Sequence, residues 1–129
     1  MPADCISYPE TNYFTALILD YLSERKELEE LYHRFPKIEN FEAQIAEKSK
    51  NYDHSIRKDL SKLLRDQYSD IAVSESTRAN IDLLESENTF TVVTGHQLNL
   101  FTGPLYFLYK IVSTINLTRQ LKEKYPDKD

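Results

Sequence analysis

Only two glycines occur in the 129 residues, Gly95 and Gly103. Average usage of about 7% would give roughly nine. A glycine-poor chain rich in Leu, Glu and Lys reads as mostly helical, and its backbone freedom is concentrated in one place. The same place is uncharged. Between Asn88 and Tyr109 there are 22 residues with no Asp, Glu, Lys or Arg. A run of that length raises the question of a membrane span. The middle of the run rejects it, because Gly95, His96, Gln97, Asn99, Thr102, Gly103 and Pro104 are all polar or helix-breaking. The run reads instead as a buried strand, a polar loop and the start of a buried helix. Charge divides at the same point. Residues 1–88 carry a balance of −7 and residues 89–129 a balance of +2.

Hydrophobic residues at 40% and charged residues at 29% exclude a disordered or collagen-like chain. A net charge of −5 argues against a dedicated nucleic-acid binder. Cys5 is the one cysteine, so neither an internal disulfide nor a cysteine-based metal cluster is possible. No basic, apolar leader opens the chain, and a reducing cytoplasm is the expected compartment.

Ahead of residue 89 the apolar positions fall at helical spacing. Residues 12–35 carry Phe14, Leu17, Ile18, Tyr21, Leu28, Tyr32 and Phe35, with Thr11 or Asn12 as cap and Pro36 as stop; Ser23 is a possible break. Residues 40–51 form a short helix with Phe41 and Ile45 inward. Residues 55–70 carry the stripe Ile56, Leu60, Leu63, Leu64 and Tyr68. A helix capped by Ser74 or Ser76 then runs to about Glu87, burying Ala79, Leu83 and Leu84.

The period changes at Phe90-Thr91-Val92-Val93-Thr94, which is short, uncharged and β-branched. It reads as a buried strand of a parallel sheet. After the loop, Gly103 is expected as N-cap and Pro104 as the first helical residue. The helix continues to about Lys124 with Leu105, Leu108, Ile111, Val112 and Ile115 inward, and Pro126 ends it. The domain reading is therefore a helical segment over 1–88 and a first strand–loop–helix unit over 89–129. One strand and one helix cannot make a sheet. The expectation is an N-terminal part of a longer α/β protein.

The loop carries the candidate chemistry. It follows the carboxyl end of a strand and precedes a helix start, the place where open α/β sheets bind ligands. Free N–H groups there favour phosphate or carboxylate. Thr102, Gln97 and Asn99 offer neutral hydrogen bonds, and Lys110 is the nearest cation. The plain alternative is that Gly95 only closes a turn, Gly103 only caps a helix and His96 only holds the loop. His33 and His54 sit on polar helix surfaces, and no His/Cys/carboxylate set has metal-binding spacing.

The string from Thr94-Gly95-His96-Gln97 through Thr102-Gly103-Pro104-Leu105-Tyr106 to Tyr109-Lys110 resembles the N-terminal part of the bacillithiol biosynthesis cysteine-adding enzymes. Tyr13-Phe14-Thr15, Leu19-Asp20-Tyr21-Leu22 and Arg34-Phe35-Pro36 are similar to that family too. The resemblance spans nearly the whole chain. It implies a Rossmann-like, nucleotidyltransferase-type core, similar to that of class I tRNA synthetases, and a C-terminal coiled coil that makes a homodimer. It also implies a ligase that joins L-cysteine to glucosaminyl malate, with no nucleic-acid or membrane partner. The synthetase His-x-Gly-His signature falls here on Phe101, Thr102, Gly103 and Pro104, so only its glycine is kept. The catalytic residues and the cofactor stay open, a nucleotide such as ATP being one candidate. The resemblance makes Gly95, His96, Gln97, Asn99, Thr102, Gly103, Pro104 and Lys110 the substrate- or nucleotide-binding set. Another nucleotidyltransferase-like activity, or a helical interaction module, is the alternative.

Overall fold

The computed structural model describes residues 4–97, 100 and 103–129. The chain divides into two compact units, Met1–Asn40 and Phe41–Asp129. The division falls at residue 40, well before the change of composition at 88.

In the first unit the long helical run of the sequence is broken. Helix α1 is Ala16–Leu22, entered from Thr15. It stops where Ser23 was a possible break. The Glu24 N–H donates to Tyr21 O (3.0 Å) and the Arg25 N–H to Asp20 O (3.1 Å), while Glu24 takes a left-handed φ of 52°. That bond pair is a Schellman stop, with glutamate in the place glycine usually holds. An ion pair from Lys37 to Glu24 adds to it. The chain then continues as a tight 3₁₀ segment, Lys26–Leu31. Tyr21, Tyr32 and Phe35 gather into an aromatic cluster, with centroids 5.0–6.0 Å apart.

The second unit holds α2 (Phe41–Asn51), α3 (Ile56–Gln67), α4 (Glu75–Leu83) and α5 (Leu105–Lys124). Just ahead of α3, Asp53 Oδ1 accepts from the N–H (3.0 Å) and hydroxyl (2.7 Å) of Ser55, the residue that precedes the helix. Ser74 is the cap of α4, accepting from Thr77 N–H at 3.1 Å. The expected stripe of α3 is not its buried face. Ile56, Leu60, Leu63 and Tyr68 are exposed and only Leu64 of that stripe is partly buried, whereas Arg57 and Ser61 are buried. Ser61 has no exposed surface and donates to Ile81 O (3.1 Å), so a small residue sets the approach of α3 to α4. Arg57 crosses to Leu84 O (3.1 Å) and Thr89 O (3.0 Å) and lies over the Tyr52 ring. Helix α4 ends four residues before Glu87, and it buries Ile81 rather than Ala79 or Leu83.

Two further expectations are corrected. No strand occurs among the described residues. No hydrogen bond among them involves the backbone of Thr91–Thr94, so the apolar β-branched run has no ladder there. A strand is completed by its neighbour. Only its entry is tied, Phe90 N–H to Asp129 O (2.7 Å) and Asp129 N–H to Asn88 O (3.1 Å). Second, Leu105, Leu108, Ile111, Val112 and Ile115 of α5 are all exposed. The partly buried stripe of that helix is Phe107, Thr114, Leu117 and Leu121. Spacing picked the most apolar side of α5, but which side is covered depends on the neighbours packed against it.

Candidate functional site

The loop begins at Gly95, where an added Cβ would meet nothing within 4 Å. Glycine is therefore not demanded there by crowding. Its carbonyl accepts from Lys110 Nζ at 3.2 Å. Lys110 thus ties the loop to the second turn of α5, and its ammonium also lies 5.5 Å from the Tyr106 ring centroid. An ammonium carries three donors, so the bond to Gly95 leaves two for a ligand.

His96 is held by at least three neighbours among the described residues. Its ring packs on Tyr106 (5.0 Å between centroids) and on Phe107 (5.1 Å). Its Nδ1 lies 2.8 Å from Gln97 O, and a carbonyl can only accept, so Nδ1 carries the proton. The rings hold the imidazole by shape and the carbonyl sets its tautomer. Tyr106 closes the stretch that the sequence marks as the candidate site, without a role of its own there, and Phe107 lies just outside it. The signal was an aromatic pair in the first turn of the helix that follows the loop.

Gly103 has φ 66°, the left-handed region, and its N–H closes a turn onto Leu100 O at 3.1 Å. A side chain at that φ is strained, so here glycine is needed. Pro104 is the N-cap of α5, with ψ 157°, and not its first helical residue; the expected start is shifted by one. Its carbonyl accepts from Phe107 N–H at 2.9 Å. The structure therefore gathers Gly95, His96, Gln97 and Lys110 around the first turns of α5, and places Gly103 and Pro104 at the start of that helix. Asn99 and Thr102 lie outside the described residues.

Beside this cluster a groove of 480 Å³ runs between residues 92–94 and α5, lined by Thr94, Tyr106, Tyr109, Lys110, Ser113 and Thr114 among others. It has hydroxyls and one cation, and no carboxylate. Among the described residues no group of His, Cys, Asp or Glu could hold a metal ion. No helix among them is long and apolar enough to cross a membrane.

The described residues show a helix start beside a turn at Gly103, and the class of domain comes from comparison with known proteins. The model of the family described as "Bacillithiol biosynthesis BshC, N-terminal Rossmann-like domain" matches residues 1–129, and the chain belongs to that family. Its relatives include a protein of Christiangramia forsetii named "Putative cysteine ligase BshC", 79% identical over 127 residues. That alignment covers 98% of this chain and 24% of the relative. A protein of the same name from Flavobacterium johnsoniae is 61% identical, again over 98% of this chain and 24% of the relative. One from Bacillus mycoides is 30% identical over 83% of this chain and 20% of the relative. The chain thus spans about a quarter of the length of these relatives. No solved structure matches it.

Proposed function

We propose that this chain supplies the first part of the active-site domain of a cysteine ligase of bacillithiol biosynthesis. The reaction forms an amide between the carboxyl group of L-cysteine, once activated, and the amine of glucosaminyl malate. The activating group leaves with a carboxyl oxygen, and the amine gives up a proton. The match of the whole chain to the family's N-terminal domain carries this reading. The names of the relatives support the activity.

On this reading the domain is α/β, with a nucleotidyltransferase-type core. Residues 89–129 are its first strand–loop–helix unit, and the residues before them are its helical lead-in. The whole protein is cytoplasmic and dimeric through a coiled coil. The start of α5, with Gly103 and Thr102, receives an anionic group of substrate or nucleotide. Lys110 supplies positive charge, and Gly95, His96, Gln97 and Asn99 form the wall. The absence of carboxylates along the adjoining groove supports an anionic ligand. His96, with its proton on Nδ1, is positioned to shape that wall and to orient whatever binds beside it.

Gly103→Val in the full-length protein tests the site. A branched side chain at φ 66° strains the turn and fills the approach to the helix start. We expect a large loss of ligase activity with the circular dichroism spectrum retained. Glu29→Ala, at an exposed position, is the control, with an expected stability change within about 0.5 kcal/mol. Normal substrate affinity and turnover in folded Gly103→Val would reduce Gly103 to a residue of the turn before α5.

A further inference from the structure

Asp129 makes two backbone bonds to the entry of the 90–94 run, and their pattern is specific. Its N–H donates to Asn88 O at 3.1 Å, and its carbonyl accepts from Phe90 N–H at 2.7 Å. One residue therefore bonds to the two neighbours of Thr89, and not twice to a single residue. That is the slanted rung of a parallel ladder; an antiparallel rung would exchange both bonds with one partner.

We propose that this rung sets the register of a parallel strand formed by the residues that continue beyond Asp129 in the longer protein. The inference rests on the α/β reading above and adds to it an edge and a register. The direction follows from the period of two. Asn88 and Phe90 already face Asp129, so Val92 and Thr94 face the same edge. The opposite edge is closed at its start, because Thr89 O is held by Arg57 Nη2 at 3.0 Å. The second residue after Asp129 then donates to Phe90 O and accepts from Val92 N–H. The fourth donates to Val92 O and accepts from Thr94 N–H.

The occupant is the continuing chain for two reasons. Asp129 is aimed along the edge and fixed there. Lys122 Nζ bonds to Asp129 Oδ1 (2.7 Å), Lys128 O (2.9 Å) and Pro126 O (3.0 Å), and Lys128 Nζ to Asn88 Oδ1 (3.0 Å). Relatives extend to about four times this chain's length, so such a segment exists in them. Next to the rung lies a cavity of 270 Å³ with Phe41, Ile45, Phe90, Val92, Leu121 and Tyr125 among its walls. An apolar strand takes such a place, because strands inside parallel sheets are buried on both faces.

The test uses the full-length protein carrying Cys5→Ser and Thr91→Cys, with a second cysteine placed at the first, second or third residue after Asp129. Oxidation should cross-link the second position at least ten times faster than the first or third, within one molecule. In the unsubstituted full-length protein, the Val92 and Thr94 amides should exchange at least a hundred times more slowly than unstructured amides. Faster linkage at the first or third position overturns the register and leaves the α/β reading standing. Linkage between molecules makes a second copy the occupant and overturns the proposal. Absence of linkage together with rapid exchange at Val92 and Thr94 overturns both readings.

Discussion

Arg57 is buried, yet an arginine is the residue a sequence reader places on a surface. Its place makes sense only through partners remote in the chain. The guanidinium satisfies Leu84 O and Thr89 O, 27 and 32 residues away, and its Nε faces His54 Nδ1 at 3.3 Å. It therefore fastens the turn after α4 and the entry of the 90–94 run to α3. Arg57→Met keeps the stem and leaves two carbonyls without their donor. Charged hydrogen bonds of this kind imply a loss of about 2–4 kcal/mol in urea unfolding. Arg57→Lys should recover less than half of that, because one ammonium cannot span both carbonyls as the fork does. A loss below about 0.5 kcal/mol for Arg57→Met would show the clasp to be incidental.

Among the elements, α3 shows both how far the sequence could be read and where reading stopped. Its existence and span were legible from the apolar period over 55–70, as were Ser74 as a cap and Lys124 as the end of α5. The face was not. Ile56, Leu60 and Leu63 form the better stripe on paper, but Arg57 and Ser61 are buried because α4 approaches over a serine. Periodicity reports which face is apolar, not which neighbour is present to cover it. The site divided in the same way. Gly103, Pro104 and Lys110 were legible as residues around a helix start, though that start was placed one residue early. The stacking of His96 on Tyr106 and Phe107 was not, since it depends on how the loop folds back. The start of α3 also carries a pH signature. Hydrogen bonds from the Ser55 hydroxyl and then its N–H hold the Asp53 carboxyl below the usual range. The folded value is the lower one, so the stabilisation is complete above the unfolded value of about 3.9. It is lost as pH falls through the depressed folded value. An NMR titration should find the Asp53 midpoint below that of a free aspartate, and Ser55→Ala should move it upward. An unshifted midpoint would show that Ser55 does not hold this carboxylate in solution.

For the whole molecule the decisive quantity is surface. The chain exposes 10961 Å². A compact monomer of 15.2 kDa would expose about 7100 Å². Even two separate compact bodies, divided at residue 40, would together expose only about 8400 Å². The excess is apolar in the places that matter. Val93 is 82% exposed, and Ile111 and Val112 of α5 are open as well. We therefore expect the 129-residue chain by itself to be inactive as a ligase and to self-associate as its concentration rises. Sedimentation and an assay for bacillithiol formation would check both, and product formed by this chain alone would defeat the first expectation. The rung at Asp129 bears on the order of events in folding. It joins points 40 residues apart, whereas the bonds within α5 join residues four apart. Loop closure of that length carries a length-dependent entropic cost of about 3 kcal/mol, and a coiled α5 would leave that cost in full. A formed α5 fixes much of that loop in advance, so the rung is expected to hold only once the helix stands, and a variant that unwinds α5 should loosen residue 129 as well.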